Sequence, residues 1–215
     1  MLPSDFSYLC LVHFEGLHLS QFRNYFELSV RFSAGINVIT GNNGEGKTNI
    51  LEALHYLSMT RGWNSKGEKY ALMEDMPYFT VEGSLFEEEV KHHIQCSYMP
   101  PKGKKILLNK KQIPRMSDHI GRIPLVTVLP NDTHLIGGSP SVRRKFMDSL
   151  ICQYSQEYLQ NLILYDRALT QRNALLALMA ERQAWDPEQV KLWNEQLIAP
   201  GIFILKARKR FLELF

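Results

Sequence analysis

Eight consecutive residues, Gly41-Asn42-Asn43-Gly44-Glu45-Gly46-Lys47-Thr48, carry the side chains and spacing best suited to chemistry in this chain. They fit G-x-x-x-x-G-K-[ST] at every fixed position. A polyphosphate carries dense negative charge and needs donors closer than most side chains reach. Gly41, Gly44 and Gly46 allow a tight backbone path in which successive N–H groups point inward as an anion nest. Lys47 is spaced to reach the β- and γ-phosphates, and the Thr48 hydroxyl to ligate Mg²⁺.

Such a loop works only between a strand and a helix. Ile36-Asn37-Val38-Ile39-Thr40 is a short β-rich run in front of it, and Asn49 to Leu57 has apolar residues at 50, 51, 54 and 57, the spacing of a helix face. A helix starting near Gly46 adds its dipole and its unpaired first-turn N–H groups to the phosphate site. Two further strands are predicted upstream. One lies in Leu9 to Leu19, broken at Glu15-Gly16; the other is Phe26 to Phe32, which alternates apolar and polar.

Downstream, Thr60 to Lys69 reads as a loop carrying Arg61, Lys66 and Lys69. Tyr78–Phe86, Val90–Tyr98 and Lys104–Asn109 are spaced as an antiparallel meander, and Ile123 to Leu129 reads as a buried strand. Ser139 and Pro140 are placed as N-cap and first residue of a helix. From Gln156 a helical stripe runs through Tyr158, Leu162, Tyr165 and Leu169. Asp186-Pro187 restarts a second helix, which predicts an antiparallel arm. The last residues, Arg208 to Phe215, end apolar with no C-cap, as a helix cut in mid-course. The expected division is an α/β head over 1–152, with P-loop and meander, and a helical second lobe over 153–215.

Composition narrows the class. At 45% hydrophobic and 22% charged residues, the chain is that of a globular protein. A formal charge of +3 permits a nucleic-acid partner where basic residues cluster. Cys10, Cys96 and Cys152 are too scattered for a disulfide framework or zinc site, and adjacent His92 and His93 would face opposite sides of a strand. No signal peptide opens the chain, and no apolar run approaches the ~20 residues of a membrane helix, so a cytoplasmic location without membrane contact is expected.

Three segments converge on one family. Phe22-Arg23-Asn24-Tyr25, the P-loop with its Lys47-Thr48-Asn49-Ile50-Leu51-Glu52-Ala53 continuation, and Gly138 to Asp148 resemble the corresponding stretches of RecF, the bacterial DNA replication and repair family. Leu169-Thr170-Gln171-Arg172-Asn173-Ala174-Leu175-Leu176 is similar to that family's KQRNALL stretch. The first two segments are shared with SMC-like ABC-type ATPases; the others narrow the resemblance to RecF, over nearly the whole chain.

The resemblance implies part of an ABC-type ATPase head with an antiparallel β lobe and a helical second lobe, binding ATP and Mg²⁺. It implies DNA binding at single-strand gaps or junctions, an ATP-dependent homodimer, and cooperation with RecO and RecR in loading RecA during recombinational repair and the SOS response. By analogy residues Gly41 to Thr48 hold the phosphates, Thr48 the metal, and the Phe22 to Tyr25 turn borders the nucleotide, with Arg23 and Asn24 as candidate ligands.

The family's signature motif, Walker B run and D-loop do not occur in these residues. No complete catalytic set is therefore present, and the sequence reads as an N-terminal portion expected to hydrolyse ATP poorly. Candidate DNA contacts are Arg61 with Lys66, a meander cluster of Lys102, Lys104, Lys105, Lys110 and Lys111, and Arg143, Arg144 and Lys145. Arg143 and Arg144 have a rival role as partners of Asp148. Two other classes compete: a small-molecule P-loop kinase using Asp132, and an SMC-like head whose coiled coil Asp186-Pro187 would interrupt too early.

Overall fold

The structure, a computed structural model, describes residues 12–63, 67–87 and 90–214, and the backbone alone of Asn131. Cys10, Lys66, Glu88 and Glu89 lie outside the described residues. Two compact units result, one ending at Thr127 and one beginning at Val128.

The first unit is built on one antiparallel sheet. Its strands are β1 (Val12–Phe22), β2 (Tyr25–Arg31), β3 (Phe79–Glu87), β4 (Val90–Met99), β5 (Gly103–Leu108) and β6 (Lys111–Gln112), in the order β2-β1-β3-β4-β5-β6. The meander inferred from spacing is β3-β4-β5, each pair in antiparallel register, with Val81 opposite Cys96 and Cys96 opposite Ile106. The break read at Glu15-Gly16 is a register shift between Phe14 and Gly16, so β1 continues through it to Phe22.

Period-two alternation puts Leu17, Leu19, Phe79, Val81, Leu85, Ile94, Cys96 and Ile106 in the core. Against that face lies α1 (Lys47–Met59), contributing Ile50, Ala53, Tyr56 and Leu57. Phe22, Tyr56 and Phe79 pack edge to face with centroids 5.3–5.7 Å apart. A side chain at Gly83 would run into Leu57 and Phe14, so glycine there sets how closely the helix approaches the sheet. Buried groups also secure the end of α1. The His119 Nε2–H donates to the Leu57 carbonyl at 2.6 Å, the Ser58 hydroxyl to Ile123 O at 2.5 Å, and the Lys104 ammonium to Thr60 O at 2.6 Å.

Two predicted strands are not strands. Residues 36–40 and 123–129 belong to no strand, and Ile36, Val38, Val126 and Val128 are 93%, 79%, 66% and 84% exposed, while Ile123 is buried. β propensity is a property of composition; a strand also needs a ladder, and among the described residues neither run belongs to one.

The second unit is helical: α2 (His134–Gly137), α3 (Pro140–Tyr154), α4 (Gln156–Arg182) and α5 (Pro187–Leu212). Ser139 precedes Pro140 as predicted. The Ser155 hydroxyl caps α4, and the Asp186 carboxylate caps α5 by accepting from Glu188 N and Gln189 N. α4 and α5 form the expected two-helix arm, with Gln183 in the left-handed conformation between them. The boundary expected after 152 falls inside α3, which belongs to this unit: Ile151 and Cys152 are buried, and Asp148 accepts two bonds from Arg208 of α5, at 2.8 Å each. Among the described residues no helix is both long and apolar enough to cross a membrane.

Candidate nucleotide site

The loop before α1 has the geometry the glycines implied. Gly41, Gly44 and Gly46 have φ of 147°, 88° and 96°, in the region that favours glycine. Gly46 is the N-cap of α1, no side chain caps that end, and its first turn holds no acidic residue. The N-terminal amides and the positive pole of the helix are thus left for an external anion. The Lys47 ammonium folds back over the loop, donating to Gly41 O at 2.7 Å and Asn42 O at 2.6 Å. Thr48 is exposed, at the second position of the helix. The Glu45 carboxylate accepts from Asn42 N at 2.7 Å and Asn42 Nδ2 at 2.9 Å, which ties the loop across its width.

The turn between β1 and β2 roofs the loop. Asn24 Nδ2 and the Tyr25 hydroxyl donate to the Glu45 carbonyl at 3.3 and 3.1 Å, and Asn49 of α1 donates to Asn24 Oδ1 at 2.7 Å. A Cβ on Gly46 would lie 2.6–2.7 Å from Asn24 and the Tyr25 hydroxyl, so only glycine fits under the roof. The predicted neighbourhood of the Phe22–Tyr25 turn and the P-loop is therefore present. Arg23, however, spends its guanidinium on Glu52 and the Tyr70 carbonyl. Sequence reasoning passed over Glu52. The only acid of α1, flanked by Leu51 and Ala53, was the available signal.

The candidate DNA residues separate by position. Arg61 and Lys105 are exposed. Lys104, next to Lys105, faces the other side of β5, pairs with Glu68 and bonds Thr60 O. It is a structural lysine and leaves the phosphate-contact set. Lys102, Lys110 and Lys111 are exposed, the last two at the tight turn between β5 and β6. In the second unit Arg143 donates to Gly138 O at 3.0 Å, and Arg144 and Lys145 line a cavity of about 830 Å³ with Asp148, Tyr165 and Arg208. The partner of Asp148 is Arg208, not Arg143 or Arg144. Asp132, the acid of the kinase alternative, accepts from its own loop, Leu129 N at 2.7 Å.

An antiparallel β lobe, a P-loop helix against it and a helical arm together define part of an ABC-type ATPase head. The chain belongs to the AAA domain family, whose profile matches residues 16–196. Within that class it is similar to the DNA replication and repair protein RecF of Salinibacter ruber, 36% identical over 93% of this chain and 49% of that protein. The RecF of Chlorobaculum tepidum is 37% identical over 94% of this chain and 55% of its own length. The chain thus spans about half the length of the curated relatives it matches. A solved structure of "the recombination mediator protein RecF-ATP in RecFOR pathway" superposes with a TM-score of 0.85 at 29% identity, over 94% of this chain and 54% of that one. A structure from work on "ATP-driven dimerization and DNA stimulated activation of SMC ATPases" shares the fold, with a TM-score of 0.52 at 21% identity over 64% of this chain and 99% of that one.

Proposed function

We propose that this chain is the ATP-binding portion of a RecF-type DNA replication and repair protein. The observation carrying the proposal is the N-terminus of α1, without a side-chain cap, entered from a loop that has Gly41, Gly44 and Gly46 at positive φ and Lys47 folded back over it. That donor set fits a triphosphate: amides at the helix start, an ammonium over the loop, and an exposed Thr48 hydroxyl for Mg²⁺. Residues Gly41 to Thr48 would hold the phosphates, with Asn24 and Tyr25 fixing the loop from above.

Similarity to RecF supports the wider proposal: DNA binding at gaps or junctions, an ATP-dependent homodimer when the whole head is present, and action with RecO and RecR in RecA loading in the cytoplasm. Arg61, Lys105, Arg143 and Arg144 are the proposed contributors to phosphate contact. Hydrolysis needs charge stabilisation and a positioned water beyond a P-loop. With no Walker B run or signature motif in the sequence, these residues bind ATP and turn it over poorly.

The test is binding of a fluorescent ATP analogue with Mg²⁺, with and without gapped duplex DNA, in wild type and Lys47→Ala. Lys47-dependent nucleotide binding with salt-sensitive DNA binding is expected. Nucleotide affinity indifferent to Lys47 would refute the site, and steady Lys47-dependent turnover would refute its incompetence for hydrolysis.

A further inference from the structure

The turn at Arg23-Asn24 contains a residue in an unfavourable conformation. Two-residue hairpin turns need positive φ, usually supplied by glycine or asparagine, yet the positive position here is Arg23, at 55°. A side chain held in such a conformation is over-determined by its surroundings. Arg23 Nε and Nη2 donate to the two carboxylate oxygens of Glu52 at 2.9 and 2.6 Å, Nη1 donates to Tyr70 O at 2.6 Å, and its backbone N–H donates to Ala71 O at 2.8 Å. Glu52 is 3% exposed, so its charge is compensated by this fork.

Glu52 and Asn49 stand three residues apart on one face of α1. Asn49 holds Asn24, and Glu52 holds Arg23. The helix that receives the phosphates therefore grips the roofing turn at two points, while the turn grips the Glu45 carbonyl inside the loop. Among the described residues, the run entering the loop, 36–40, belongs to no ladder. The turn supplies the external hold on its apex.

We infer that Arg23 and Glu52 are a positioning pair for the nucleotide loop: Arg23 acts through Glu52 to seat the Asn24–Tyr25 roof, and is not itself a phosphate ligand. This rests on the nucleotide assignment above. Arginine is required because its planar fork meets both carboxylate oxygens at once, which a lysine cannot do.

The experiment compares Arg23→Lys, Arg23→Gln, Glu52→Gln and the double variant Arg23→Gln/Glu52→Gln. It reads ATP and ADP affinity by fluorescence, with hydrogen–deuterium exchange over residues 41–49 of the nucleotide-free protein. Each single variant should weaken ATP and ADP alike by about tenfold, and the double variant little more than either, the non-additivity of groups acting as one unit. Arg23→Lys should resemble Arg23→Gln, and exchange over 41–49 should rise in all four. Arg23→Lys keeps the charge and Glu52→Gln the volume, and circular dichroism of each variant selects those that are folded for the comparison.

The pair is refuted if Glu52→Gln leaves affinity and exchange unchanged while the Arg23 variants bind more weakly, or if the loss is confined to ATP. Either outcome makes Arg23 a direct ligand. Unchanged affinity in every variant also refutes it, leaving a purely structural ion pair. Wild-type protein without Lys47-dependent binding would overturn the nucleotide assignment instead; the exchange of the ligand-free loop would then still decide whether the pair seats it.

Discussion

Two arginine–carboxylate pairs of the same chemistry lie in the two units. Arg23–Glu52 joins the β1–β2 turn, α1 and the Tyr70 segment; Arg208–Asp148 joins α5 and α3, with the Tyr158 hydroxyl of α4 donating to Asp148 Oδ1 at 2.5 Å. Both are bidentate and largely withdrawn from water. Their settings differ. Around Arg23 are a positive-φ turn, an exposed glycine loop and an uncapped helix end; around Arg208 are helices that begin with Ser155 and Asp186 caps and a fully buried Tyr158. The ion pair alone does not tell a positioning device from a packing device. What decides is whether the backbone attached to it is self-sufficient.

The largest expected effect comes from removing one partner and leaving the other uncompensated. Glu52→Ala should cost about 3–5 kcal/mol in denaturant unfolding, and Asp148→Ala somewhat less, about 2–3 kcal/mol, because its pair is more open to water. Only the first should also impair nucleotide binding. If Asp148→Ala impairs it equally, the contrast fails.

Glycines sharpen the same comparison. Gly46→Ala, at φ 96° and under the roof, should cost about 1–3 kcal/mol and remove most nucleotide affinity. Gly201→Ala, inside α5 with Tyr165 3.2 Å from the new Cβ, should change stability by less than about 1 kcal/mol. Thermal melts with added nucleotide would separate the two.

Acid should attack the first unit. Burial pushes the His119 and His55 pKa values down, because the charged imidazole is poorly solvated there. The folded state therefore binds fewer protons than the unfolded chain. Stability is complete above the unfolded value near pH 6.5 and falls as pH drops below it, at up to about 1.4 kcal/mol per pH unit for each histidine. His119→Gln should flatten the acid limb in pH-dependent unfolding; an unchanged limb would shift the cause to His55.

The smallest effect separates neighbours. Lys105→Ala should alter stability by under about 0.5 kcal/mol and reduce the salt slope of DNA binding by about one. Lys104→Ala should leave that slope alone and appear instead as lost stability, since Glu68 and Thr60 O lose their donor.

Local patterns carried much of this structure. The P-loop, the meander, the Ser139-Pro140 helix start and the Asp186-Pro187 restart each follow from residues within a few positions of one another. Long-range pairings were not legible. Arg23 meets Glu52 across 29 residues, Lys104 meets Thr60 O across 44, and Arg208 meets Asp148 across 60. Spacing says only that an acid or base exists, not which face of which element it reaches. The two failed strands share that cause: Val38 and Val126 have the right composition, but a ladder depends on segments elsewhere.

Those two runs also mark where apolar side chains of the described residues stand uncovered. The sheet proper guards its margins, since β6 is a two-residue exposed Lys-Gln stub and β2 carries Glu27 and Arg31. Ile36 with Val38, and Val126 with Val128, instead leave apolar side chains exposed in runs that belong to no ladder among the described residues. Taken by themselves at high concentration, these residues are expected to associate first through such uncovered apolar segments. Solubility of this span by itself is therefore expected to respond more to polar substitutions at Ile36, Val38, Val126 and Val128 than to changes at the margins of its sheet.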